Sequence, residues 1–187
     1  MRKLIMWNVV TLDGFFEGEK PWDLSFHNLV WGKELEALSL EQLREADMLV
    51  FGENTYKGMA DYWPNAETSD PGVATIMNAI AKVVCSPNLE KAEWNNTIIV
   101  RDAVKDLTRM KQEGDGPMYI FGSANLCESL MKVGLFDEIR LCVAPVLLGK
   151  GRRLFADQTL TCKLGLLEAK HLSNGGVVLR YTCGNVN

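Results

Sequence analysis

Along the chain, short unbroken apolar runs alternate with longer stretches in which apolar positions recur every three or four residues. The runs are rich in Val and Ile and predict strands over residues 3–10, 48–52, 82–86, 97–100, 118–121, 138–144, 164–172 and 177–183. Most of the early ones lack a polar alternation, the pattern of central strands covered on both faces. Helix boundaries fall between them. Ser39-Leu40-Glu41-Gln42 reads as a capping box opening a short helix that ends near Ala46. Ser69-Asp70-Pro71 supplies a cap and a first-turn proline to a helix reaching about Ala79. Asp102 caps a helix that Gly114 stops, and Ser123 is positioned to cap another that Gly134 stops. Beyond Gly134 strands follow one another without helices, and Asn174-Gly175-Gly176 marks a hairpin turn. The rhythm predicts an α/β fold: a largely parallel sheet with helices on both faces, closed by an antiparallel hairpin. Residues 13–27, 56–70 and 145–163 remain as irregular connections, and long connections in a compact domain commonly carry function.

With 187 residues, 47% of them hydrophobic, the chain can bury a proper core, and one domain over residues 1–187 is expected. A net charge of −4 offers no broad basic surface and argues against a nucleic-acid partner. No apolar run approaches the roughly 20 residues that span a bilayer, so no membrane association is expected. The opening MRKLIMWNVV reads as a first strand instead of a targeting sequence. Five cysteines, odd in number and never spaced C-x-x-C, point to reduced thiols and a cytoplasmic location. The two histidines, His27 and His171, have no metal-type spacing partner, and no metal site is expected.

Several nucleotide and hydrolase motifs are missing. No G-x-G-x-x-G follows the first strand, no G-x-x-x-x-G-K-[ST] occurs, and G-x-S-x-G is absent. Three strand ends nevertheless carry residues suited to phosphate. LVFGENTYKGM puts Gly52 at a strand end with Asn54 and Thr55 at the start of a helical turn. VVCSPN puts Ser86 at another, and YIFGSAN puts Gly122, Ser123 and Ala124 at a third. In open α/β sheets ligands sit beyond the carboxyl ends of the strands, where helix N-termini present free N–H groups. Each turn alone is equally well read as structural; together the three could hold one dinucleotide.

TLDGFFEG (11–18), VFGENTYKGM (50–59), VVCSPN (83–88), IIVRD (98–102), YIFGSANLCESLMKVGLFDEIRL (119–141) and APVLLGKGRRLF (144–155) give residues 3–148 and a little beyond a distinct character. In them the chain resembles the dihydrofolate reductase superfamily, and most of all the C-terminal reductase domain of the riboflavin-biosynthesis deaminase-reductases. The P-x-x-L-G-x-G loop carries the latter resemblance. The resemblance implies a three-layer dihydrofolate reductase-like fold around a mixed eight-stranded sheet, a homodimer, and NADPH as cofactor. It implies that Gly52, Asn54, Thr55 and Tyr56 approach the phosphates and adenosine ribose. Ser86 and Pro87 would hold the adenosine phosphate, with Arg101 beside the adenine. Gly122, Ser123, Ala124, Asn125 and Leu126 would lie under the pyrophosphate, and Val9, Val10 and Phe16 would line the nicotinamide. The implied function is hydride transfer from NADPH to a small pterin- or pyrimidine-like heterocycle; the alternative is a nucleotide-binding module of the same fold with little or no catalysis.

Three positions depart from that pattern. Glu53 follows the strand glycine where these reductases usually place a basic residue toward the 2′-phosphate, leaving phosphate recognition to Arg101, Ser86 and Lys57. The customary double glycine is Gly122-Ser123, and a left-handed serine would cost about 1 kcal/mol or more. EKPWDLSFHN (19–28) resembles the proline-tryptophan segment of dihydrofolate reductases, but the place of their pterin-binding carboxylate falls at about His27. Trp22 and His27 are candidate substrate contacts, and Asp13 and Asp23 are candidate acids, Asp13 reading equally as a turn former before Gly14. Trp7, Trp31 and Trp63 can stack on a flat ring or belong to the core. Lys150, Arg152 and Arg153 form a basic cluster suited to a substrate phosphate or to solvent.

Overall fold

The computed structural model describes residues 1–156 and 161–184, so that 157–160 of the connection at 145–163 lie outside it. Its elements are β1 (Leu4–Thr11), β2 (Phe15–Glu17), α1 (Lys33–Glu45), β3 (Met48–Gly52), α2 (Glu53–Tyr62), α3 (Pro71–Ala79), β4 (Ala81–Cys85), β5 (Thr97–Val100), α4 (Ala103–Gln112), β6 (Met118–Phe121), α5 (Ala124–Lys132), β7 (Glu138–Ala144), β8 (Arg152–Arg153), β9 (Leu164–His171) and β10 (Val177–Cys183). Two 3-10 turns lie at Ser25–Leu29 and Trp63–Asn65.

Eight strands make one sheet in the order β5-β4-β3-β6-β1-β7-β10-β9. Pairing is parallel from β5 to β7, and β10 runs antiparallel to both β7 and β9. The unbroken apolar character of β1 follows from its place. Leu4, Met6 and Val10 enter a core shared with Leu107 and Met110 of α4 and Leu130 and Met131 of α5. Ile5 and Trp7 enter the opposite core with Leu35 and Leu43 of α1, Tyr56 of α2, and Val73 and Met77 of α3. Both faces being covered, neither needs a polar register. Near the antiparallel edge, buried Glu138 accepts hydrogen bonds from Arg140 Nε at 2.7 Å and Arg180 Nε at 2.9 Å.

Two helix starts differ from the sequence reading. Ser39 and Gln42 stand inside α1, which begins after Gly32 with Glu34 and Glu36 in its first turn. Gln42 is fully buried and its Oε1 accepts from Arg140 Nη1 at 3.3 Å, so it cannot reach back to a cap. Carboxylates near the positive helix end do that work instead. Ser123 precedes α5 but caps nothing; it is left-handed, at φ 60° and ψ 43°. Residues 56–70, read as irregular, contain most of α2. The small β2–β8 ladder, Phe15 opposite Arg153 and Glu17 opposite Arg152, pins residues 13–27 to 145–156. This ladder sets one wall of the cleft described next.

Candidate functional site

A cleft of about 830 Å³ lies over the carboxyl ends of β1, β3, β4 and β6. Its floor is the three turns singled out above, and its wall is β2, Trp22 and the 3-10 turn that carries His27.

At the centre, Gly122 and Ser123 are both left-handed, at φ 61° and 60°. A Cβ on Gly122 would stand 3.1 Å from Thr55 Cγ2, so glycine answers both a backbone and a space requirement there. Ser123 sustains a conformation that costs an L-residue about 1–2 kcal/mol by tying two turns together. Its N–H donates to Thr55 Oγ1 at 3.1 Å, and its Oγ accepts the Gly52 N–H at 2.9 Å. The starts of α2 and α5 are thereby held side by side, open to one cleft. The first intrahelical bond of α5 is donated by Cys127 to Ser123, so the amides of Ala124, Asn125 and Leu126 have no intrahelical acceptor. Two adjacent helix N-termini favour negative charge by their dipoles and by free donors. Arg152 adds a cation, its Nη2 donating to Asn125 Oδ1 at 2.7 Å and its Nη1 lying 3.8 Å from Glu17.

Toward β4 and β5 the cleft is polar. Glu53, the first residue of α2, accepts a short hydrogen bond from the Ser86 hydroxyl and pairs with Lys57 Nζ at 2.6 Å. Lys57 first and Ser86 second hold its carboxyl below the usual carboxylate range. Ser86 Oγ also accepts the N–H groups of Asn88 and Leu89, and Arg101 Nη1 donates to the Ser86 carbonyl at 3.0 Å.

Toward β1 and β2 it is aromatic, lined by Trp7, Phe16, Trp22 and Trp31. Trp22 has φ 65°, and its N–H donates to Glu17 Oε1 at 2.8 Å. Its ring rests on Gly58 of α2, where a Cβ would meet Cζ2 at 2.0 Å. His27 Nε2 is buried without a hydrogen-bond partner among the described residues, and burial lowers the imidazole to about 4. A neutral imidazole therefore faces this end of the cleft. Burial pushes the Cys85 thiol up to about 12, which leaves the one cleft-lining cysteine without thiolate character at neutral pH.

Val9, Phe16, Trp22, His27, Gly52, Asn54, Thr55, Ser86, Pro87, Arg101, Ser123 and Arg152 all reach the lining, with Gly122 and residues 124–126. Val10, Tyr56, Asp13, Asp23 and Lys150 do not. Val10 points into the core on the α4–α5 side, one residue out of phase with Val9. Tyr56 is buried, its hydroxyl accepting the Trp94 N–H at 3.0 Å. Asp13 is consumed in loop building: Thr11 Oγ1 donates to it at 2.6 Å, Leu148 N–H at 3.1 Å and Gly149 N–H at 2.8 Å. The Thr11 bond above all holds its carboxyl down at about 2. Asp23 accepts from Ser25 at the start of the 3-10 turn, and Lys150 pairs with Glu19 at 2.5 Å in solvent. Asn8, Glu17 and Gly58 were not singled out from the sequence. Only a mid-helix glycine could have flagged Gly58, and that required recognising α2.

Residues 2–178 match the family model of the RibD C-terminal domain. The uncharacterized protein YyaP of Bacillus subtilis (strain 168) is 26% identical over 96% of this chain and 94% of its own. A structure from Shewanella sp. PV-4, assigned to riboflavin biosynthesis, superimposes with a TM-score of 0.78 at 18% identity, covering 98% of this chain and 99% of that one. The dihydrofolate reductase of Enterococcus faecalis, complexed with NADP(H), gives a TM-score of 0.64 at 13% identity over 98% and 97%. At such identities the structural matches establish the fold.

Proposed function

The chain belongs to the RibD C-terminal domain family, and from that premise we propose that it is a reductase using a reduced nicotinamide dinucleotide to act on a small pterin- or pyrimidine-like heterocycle. The observation that carries this reading is the paired start of α2 and α5. The Ser123 crosslink to Thr55 and Gly52 points both helix ends into one cleft with an aromatic end and a polar end. The donor set suits a pyrophosphate: first-turn amides, the Gly122 turn that no side chain fills, and Arg152 beside Asn125. The fold-sharing dihydrofolate reductase is complexed with NADP(H), which agrees with this assignment.

A bound dinucleotide supplies the hydride; the protein has to orient it and exclude water. Trp7, Phe16, Trp22 and Trp31 can sandwich flat rings at the β1 end, where hydride donor and acceptor must meet. Neutral His27 borders this end of the cleft with its Nε2 buried, so it brings no charge to the substrate. It takes the place of an acid that would grip a protonated amino-pyrimidine, so the substrate presents a neutral edge there. Further parts of the reading are a cytoplasmic location, in keeping with five unpaired thiols, and a homodimer, in keeping with exposed Leu166 and Leu167 on edge strand β9.

Titration with NADH and NADPH, followed by tryptophan fluorescence, tests this. Saturable quenching with at least one of them is expected, since Trp7, Trp22 and Trp31 border the cleft. No change with either at millimolar concentration would remove the dinucleotide from the account.

A further inference from the structure

Resting on the reading of this cleft as a dinucleotide site, we infer that Glu53 turns the ribose end toward an unphosphorylated dinucleotide, NADH, in place of NADPH. The two ends of the cleft are chemically distinct, and this fixes which one holds the adenosine. The nicotinamide must meet a second ring, and the Trp7, Phe16 and Trp22 end offers the walls for that. The adenosine then extends from the α5 start across β3 toward β4 and β5, which brings its ribose to Glu53, Ser86 and Arg101.

At this point the donors that a 2′-phosphate would use are committed. Ser86, almost fully buried, gives its hydroxyl proton to Glu53 and accepts two backbone N–H groups, so it has no donor left. Lys57 is drawn onto Glu53 at 2.6 Å. Lys57 keeps further N–H groups only beside the Glu53 carboxylate, and Arg101 has one of its guanidinium nitrogens already on the Ser86 carbonyl. A phosphate would have to displace Glu53 from both partners or sit against a carboxylate held ionised by them. Ribose hydroxyls meet the opposite situation. Each Glu53 oxygen has accepting capacity left, and a carboxylate receiving a ribose hydroxyl is the recognised way to prefer the unphosphorylated cofactor.

The test measures Kd for NADH and NADPH by calorimetry on the wild-type chain and on Glu53→Gln, which keeps an acceptor for Ser86 and removes the charge. The expected result is NADH binding at least as tightly as NADPH in the wild type, and a shift in the ratio of the two of about tenfold toward NADPH in the variant. A wild-type preference for NADPH would overturn the inference while leaving the dinucleotide reading intact, as would an unchanged ratio in a variant that melts normally. Binding of neither cofactor would overturn the reading itself and the inference with it.

Discussion

His27 makes the protein sensitive to mild acid in a calculable way. Its imidazole is neutral in the folded chain because burial lowers it from 6.5 to about 4 and Nε2 has no acceptor or donor opposite it among the described residues. Above pH 6.5 both folded and unfolded chains leave it neutral, and it contributes nothing to the pH dependence. Between 6.5 and 4 the unfolded chain binds a proton that the folded chain refuses, so stability falls as pH falls; below 4 the penalty is complete. Linkage gives about 2 kcal/mol lost by about pH 5 and about 3 kcal/mol once the folded state also titrates. Carboxylates held low, such as Asp13, Glu34, Glu53 and Glu138, lose their contributions in more acidic solution. Urea unfolding of wild type and His27→Leu at about pH 7.5 and about pH 5 isolates the imidazole, because every other group is common to both. Leucine replaces an unpartnered polar ring, so the variant should match or exceed the wild type at neutral pH. The wild type should then lose about 2 kcal/mol more than the variant on acidification. Equal losses would refute the buried neutral imidazole.

Three other perturbations follow from the same geometry. Gly122→Val forces a branched side chain into φ 61° with its Cβ 3.1 Å from Thr55 Cγ2; it should cost about 2 kcal/mol or more in urea unfolding and abolish cofactor quenching. Gly58→Ala puts a methyl where the Trp22 ring lies. Because that ring can swing into solvent, stability should change by less than about 1 kcal/mol, while acrylamide quenching of tryptophan fluorescence rises. Glu138→Ala leaves the buried Arg140 guanidinium without its Nε acceptor and should cost about 3–5 kcal/mol by urea unfolding.

The central strands β1, β3, β4 and β6 were legible because they are covered on both faces, and such strands announce themselves as unbroken apolar runs. The Asp102 cap was legible for a local reason, its carboxylate accepting the Lys105 N–H at 3.0 Å. The Ser39–Gln42 box misled because a capping pattern inside a helix looks the same as one at its start. Only burial of Gln42 against Arg140 distinguishes them, and that is a contact across 98 residues. The cleft was half legible. Gly52, Ser86 and Gly122 were found because strand-end turns carry small residues, whereas Val10 and Tyr56 were misplaced because lining a cleft depends on strand phase and helix rotation. Asp13 looked like a free acid beside a turn. Its partners Leu148 and Gly149 lie on a loop 135 and 136 residues away, beyond any local pattern.

A crystal structure of the protein soaked with reduced dinucleotide tests the central claim most directly. The account predicts pyrophosphate oxygens against the first-turn amides of α5 and the Arg152 guanidinium, with the nicotinamide between Trp7 and Phe16 and the adenosine ribose at Glu53. A dinucleotide bound elsewhere, with the Gly122-Ser123 turn making no contact to it, would contradict the account.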